Sequence, residues 1–208
     1  MIYQIIAAVI AATVLYFLFK KSTKPGGNSR TPDLSFLPDT FIVFDLETTG
    51  LDPKQDSILE IGAIKVNRHS VNHDAFEQLI NPGIKIPRKA TDINGITQQM
   101  VEDHGKPIAN VLPEFIEFIG NHHLVAFNAK FDMAFIREAS KKQGLSVNNT
   151  HSCALVMARK AWPGLASYKL ENLANAGKLD VTGNHRALKD CELATTVYMA
   201  AASKLKKK

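Results

Sequence analysis

Asp45 and Glu47 stand two residues apart near the end of an apolar run, FIVFDLETTG, at positions 41–50. The β-branched and aromatic residues of that run predict a buried strand over Phe41–Leu46. Side chains alternate faces along a strand, so a spacing of two sends both carboxylates to one side. Two carboxylates held together at the end of a hydrophobic strand repel each other and are costly to desolvate. A divalent cation between them removes that penalty, and hard oxygen donors suit Mg²⁺ or Mn²⁺. The D-x-E pattern also fits a solvated acidic turn, so its meaning depends on further acids arriving from elsewhere.

Two later stretches offer such groups. Asp132 lies in LVAFNAKFDMAFI (124–136), where a short apolar strand over Leu124–Phe127 gives way to a helix over Ala129–Gln143. Asn128 is its predicted N-cap, and Phe131 and Phe135 cover the apolar face beside Asp132. An acid in the first turns of a helix is also favoured by the dipole, whatever its function. His185 and Asp190 lie in HRALKDCELA (185–194), before and within the first turns of a last helix that runs to about Ala201. A histidine ahead of a helix is most often a surface or capping residue, so this pair too gains weight only in company.

The elements that must position these groups follow from periodicity. Strands are predicted over Phe41–Leu46, Ile58–Val66 and Ala75–Ile80, with short connections that suggest an antiparallel meander. The pattern then becomes helical over Lys106–Ile119, with Ile108, Val111, Leu112, Phe115 and Ile119 at helical spacing. A further short strand is expected around His151–Cys153, and helices near Ala154–Ala161 and Tyr168–Ala176. Three strands followed by alternating helix and strand describe an α/β domain with a mixed five-stranded sheet flanked by helices.

Taken together, FDLETTG with Asp45 and Glu47, FNAKFD with Asp132, and HRALKD with His185 and Asp190 resemble the three motifs of the DEDDh 3′→5′ exonucleases. That family includes the proofreading epsilon subunit of bacterial DNA polymerase III. The resemblance covers roughly Thr40 to Ala201. It implies a ribonuclease-H-like fold and two divalent ions, Mg²⁺ or Mn²⁺, held by Asp45, Glu47, Asp132 and Asp190. It also implies that Asp45 is shared by both ions, that Asp132 contributes through water, and that His185 takes a proton from the attacking water. The sister class carries Tyr four residues before the last Asp; Arg186 occupies that place here, which indicates the histidine class. Phe127 and Asn94 stand where many relatives have His.

Outside that span the chain is unlike a soluble enzyme. Residues 2–19 (IYQIIAAVIAATVLYFLF) are 18 uncharged, mostly apolar residues followed by Lys20, Lys21 and Lys24. They predict a transmembrane anchor with the catalytic domain on the cytoplasmic face. A flexible linker is expected over 20–39, the exonuclease domain over 40–203 and a basic tail over 204–208. The net charge of +5 resides in the ends. Of 25 Lys+Arg, eight are Lys20, Lys21, Lys24, Arg30, Lys204, Lys206, Lys207 and Lys208, which leaves 17 against 20 Asp+Glu in the body. A mildly acidic body binds a polyanion only with help from bound cations. Cys153 and Cys191 form no C-x-x-C pair and read as core residues of a reducing compartment.

The expected partners are therefore single-stranded or frayed 3′ ends of DNA (or RNA), the membrane, and a polymerase or repair protein that no motif identifies. Three function classes share this pattern: the exonuclease, a catalytically silent membrane-tethered module that binds nucleic acid or a partner, and a phosphoesterase of small nucleotides. A binding module has no need of His185. An RNA-directed exoribonuclease would differ by contacts to the 2′-OH, for which the sequence carries no motif.

Overall fold

The computed structural model describes residues 34–70, 72–183 and 185–206. The anchor expected at 2–19, most of the linker and the last two tail residues lie outside them. Among the described residues no helix is long and apolar enough to cross a membrane.

Five strands form one mixed sheet. They are β1 (Thr40–Thr48), β2 (Ile58–Asn67), β3 (Asp74–Leu79), β4 (His123–Ala126) and β5 (His151–Cys153), in spatial order β3-β2-β1-β4-β5. The first three make the predicted meander, with β2 antiparallel to both β1 and β3. β4 and β5 then add on the other side of β1 in parallel. The helices are α1 (Arg88–Asn94), α2 (Gln98–His104), α3 (Ile108–Ile119), α4 (Ala129–Lys142), α5 (Ala154–Ala161), α6 (Leu170–Ala176) and α7 (Ala187–Lys206).

Alternation along β1 sorts the core into two layers. Phe41 and Val43 pack with α5, α6 and α7 through Ala158, Leu173, Val197 and Tyr198. Ile42, Phe44 and Leu46 pack the opposite way, onto Leu112 and Phe115 of α3 and Met133 and Ile136 of α4. Continuing the odd series, Asp45 and Glu47 share the α7 face. On β2 the same face carries Glu60, Gly62, Ile64 and Val66, because Asp45 lies opposite Gly62 and Glu47 opposite Glu60.

The structure departs from the sequence reading in four places. Leu37, assigned to the linker, is buried in the α7-side core, and Arg68 pairs with Asp39, so the body begins by Leu34. Helices α1 and α2 were not expected; each has seven residues with two apolar side chains, too few to show a period. Asn128 sits at the N-cap position of α4 but makes no side-chain capping bond there. Finally, α7 continues past Ala201 to Lys206, whose ammonium lies over the Phe36 ring at 4.9 Å. The last helix thus returns to the start of the described chain, at the end of the sheet away from Asp45.

Candidate active site

The carboxylates converge because three elements end at one place. β4 pairs with β1 only as far as Val43↔Val125, so β1 outruns its neighbour. The chain leaving β4 enters α4 there, with Asp132 in its first turn. The Leu46 backbone N–H, which β4 does not reach, hydrogen-bonds to the Asp132 carboxylate, as does the N–H of Asp132 itself. This satisfies a strand donor that would otherwise be orphaned. Asp132 is only 2% exposed.

From the other side, α7 brings Asp190. Its close approach requires Gly62: a Cβ there would lie 2.5 Å from Leu188 N and 2.8 Å from the Ala187 Cβ. Asp190 on α7 and Asp45 and Glu47 on β1 offer ligand atoms that all lie within 4.8 Å of one another, and all three side chains are half-buried. β1 carries a bulge between Glu47 and Thr48 that ends its regular pairing at the site. Beyond it the 49–57 turn is fixed by Asp56, which accepts from Thr49 Oγ1 at 3.2 Å and from Asp52 N at 2.9 Å.

The electrostatics are those of a cluster built for cations. Burial, then the charges of Asp132, Asp190, Glu47 and Glu60, push the Asp45 carboxyl well above its usual range. Burial, then Asp190 and Glu60, raise Glu47 to about 8, against a lowering hydrogen bond from Asn94. Burial raises Asp132 to about 7 despite its two backbone donors, and burial raises Asp190. Repulsion and desolvation of this kind vanish when positive charge is placed among the oxygens. The donor set therefore fits hard divalent ions: carboxylate oxygens only, with no sulfur or imidazole among the clustered atoms.

His185 stands at the rim, exposed, one residue ahead of Arg186 and the start of α7. It adopts φ of 62°, unusual for a residue with a Cβ, and its backbone N–H donates to Asp190 Oδ1 at 3.3 Å. The five residues singled out in the sequence are thus brought to one end of the sheet.

Two further residues belong to the site. Asn94, at the end of α1, is 4% exposed; its amide donates to Glu47 and lies 3.5 Å from the Thr48 carbonyl, while its Oδ1 accepts from Ile96 N at 3.0 Å. Through the first of these bonds it orients Glu47. Glu60 is wholly buried on β2. The signal for it was a lone acid in the apolar strand ILEIGAIKV; the signal for Asn94 was the family's usual His at that place.

Comparison with known proteins finds matches of both sequence and fold. Residues 42–198 match the family profile RNase_T, described as Exonuclease. The DNA polymerase III epsilon subunit of Aquifex aeolicus is 35% identical over 173 residues, covering 82% of this chain and 84% of that subunit. A PolC-type DNA polymerase III from Caldanaerobacter subterraneus subsp. tengcongensis is 40% identical over 169 residues, 81% of this chain but 12% of the polymerase. The chain therefore spans a small fraction of the PolC-type relatives it matches. Among solved structures, Escherichia coli exonuclease I in complex with a dT13 oligonucleotide shares the fold, with a TM-score of 0.67 at 22% identity over 82% of this chain and 41% of that one. Exonuclease X in complex with 5′ overhanging duplex DNA gives a TM-score of 0.62 at 29% identity over 77% of this chain and 90% of that one.

Proposed function

The chain belongs to the exonuclease family, and from that premise we propose that it is a metal-dependent 3′→5′ exonuclease that releases nucleoside 5′-monophosphates from DNA ends. The observation that carries this reading is the convergence of Asp45, Glu47 and Asp190 within 4.8 Å, beside buried Asp132 and with His185 at the rim. Those carboxylates would hold two Mg²⁺ or Mn²⁺ ions, with Asp45, which feels the charges of the other three, as the shared ligand. Bound there, the ions supply Lewis acidity and cancel charge that develops on the phosphoryl oxygens.

The protein's own groups do the rest. His185, free of the packed core, takes the proton of the attacking water, a role suited to imidazole near neutral pH. The new P–O bond forms as the bond from phosphorus to the upstream 3′ oxygen breaks, and that oxygen takes up a proton from solvent to become the next 3′ hydroxyl, while His185 later returns its proton to solvent. Asn94 and the Leu46 N–H hold Glu47 and Asp132 in place meanwhile, so that little reorganisation accompanies the reaction.

DNA is favoured because the relatives with matching sequence include a DNA polymerase III epsilon subunit and PolC-type DNA polymerases III, and the solved neighbours include exonuclease I with a dT13 oligonucleotide and exonuclease X with 5′ overhanging duplex DNA. A single strand or a recessed 3′ end is the substrate to offer first. The test is to incubate the purified chain with 5′-labelled single-stranded DNA and Mg²⁺. A ladder shortening from the 3′ end supports the reading. Absence of product, with DNA still retained, would replace it with a silent binding module; cleavage of mononucleotides alone would indicate a small-molecule phosphoesterase. The same assay on RNA of equal sequence ranks the two sugars.

A further inference from the structure

We propose that Glu60 and Arg186 are positioning residues, an ion pair that latches the start of α7, with His185 and Asp190, onto the ladder step that carries Glu47. The inference rests on the exonuclease reading above. Glu60 is 0% exposed in the middle of the sheet, where an uncompensated carboxylate is strongly unfavourable. Both its oxygens are satisfied by two consecutive residues. Arg186 Nε reaches Oε1 and Oε2 at 3.2 and 3.1 Å, and its Nη2 reaches Oε1 at 2.6 Å. The Ala187 N–H donates to Oε2 at 2.9 Å, which gives the first residue of α7 a partner outside the helix.

The position of the pair gives it consequences for the chemistry. Glu60 is the direct cross-strand partner of Glu47, so the latch refers the helix to the strand pair that presents the carboxylates. Arg186 immediately follows His185, whose left-handed backbone conformation persists only where its surroundings hold it. The Arg186 carbonyl also accepts from Asp190 N at 3.0 Å, the hydrogen bond that opens the turn bearing Asp190. One guanidinium therefore fixes both neighbours. It also offsets part of the charge that Glu60 adds to the carboxylates beside it. A forked, planar cation is called for, because the rotating ammonium of a lysine lacks the rigid pair of parallel N–H bonds that fixes the orientation of the carboxylate.

The experiment uses the full chain in detergent with the variants R186A, R186K, E60Q and the double variant E60Q/R186A. E60Q keeps volume and an acceptor for Ala187 N–H, so it serves if the arginine variants fold poorly. In the metal-free proteins, amide hydrogen exchange is measured across 185–191 and, as an internal reference, across α3. Steady-state kinetics follow on single-stranded DNA with Mg²⁺. The latch predicts exchange across 185–191 faster by about tenfold or more in R186A and E60Q, with α3 unchanged. It predicts kcat lower by about tenfold or more with KM within about twofold, no rescue by R186K, and a double variant no worse than the poorer single one. Unchanged exchange at 185–191, exchange raised equally in α3, rescue by R186K, or additive losses would each overturn it. If the unmodified chain removes no nucleotide, the exonuclease reading falls and the exchange measurement alone decides the latch.

Discussion

Raising the pH of the metal-free protein from 5 to 7 should destabilise it, and Mg²⁺ should abolish the effect. Unfolded, Glu and Asp carboxyls titrate near 4.5 and 3.8, whereas folding moves Glu47 to about 8 and Asp132 to about 7. Across pH 5–7 the folded state therefore holds protons that the unfolded state has lost, and stability falls as pH rises through the folded values. Counting Glu47 alone, one proton over two pH units amounts to about 3 kcal/mol. For a chain of this size that corresponds to a fall in Tm of roughly 6–12 °C. Asp45, Asp132 and Asp190, all raised by burial, act in the same direction. His73 and His123, whose imidazoles burial lowers, act in the opposite direction, but they do so with or without metal. The quantity to measure is thus the difference between thermal scans at pH 5, 6 and 7 in chelator and in saturating Mg²⁺. Cations replace the protons, so the Mg²⁺ curve should be the flatter and the gap should widen with pH. E47Q in chelator should lose about one proton's share of the slope. Parallel curves in chelator and Mg²⁺ would refute the reasoning, since the carboxylates would then not be the metal site.

Three other outcomes follow from the geometry, and one from the sequence of residues 2–19. Asp45→Ala should abolish turnover, with Glu47→Ala and Asp190→Ala close behind and Asp132→Ala the mildest; more than a tenth of the original activity in Asp45→Ala would contradict the shared-ligand role. His185→Ala should keep Mn²⁺ binding, read by calorimetry, while its rate falls by about 10²–10⁴, the usual worth of a general base. Gly62→Ala should cost about 1–3 kcal/mol by forcing a methyl against the backbone of α7, visible as a lower Tm, and should also depress activity by displacing Asp190. We also propose that the full-length protein is a single-pass membrane protein, held by residues 2–19 with its body in the cytoplasm. It should resist release by carbonate washing and be protected from protease added outside intact cells.

What the sequence could show of this molecule was whatever depends on near neighbours. The β1–β3 meander follows from strong apolar runs with short connections. The α3, α5 and α7 helices have enough turns for a period, or a run of small apolar residues, to stand out. Helices α1 and α2 lack both. Their buried apolar residues, Ala90 and Val101, form a small separate cluster with Ile96 of the connection between them, Leu59 of β2 and Ile86, so their folding depends on the sheet being there. The local clue was modest: Thr97 caps α2 by accepting from Met100 N at 3.2 Å. Asn128 shows the converse, a residue of the right type ahead of a helix whose ψ of 67° does not form the capping geometry.

The same distinction separates the carboxylates that motif spacing revealed from the one it did not. Asp45, Glu47, Asp132 and Asp190 are each marked by a local pattern, because a group that must face an ion sits at the end of an element where the chain turns. Glu60 lies on β2 level with Glu47 but outside the D-x-E pattern, and what makes it tolerable is a guanidinium 126 residues further along. A charge buried inside an apolar strand is itself the clue, since such a group must have a partner of opposite sign somewhere in the fold. In this chain Arg186 was visible first as the residue that excludes the tyrosine class. It takes the structure to show that the same side chain compensates Glu60. Sequence spacing thus names the groups that touch the chemistry, while the groups that aim them are found by asking which buried charge needs company.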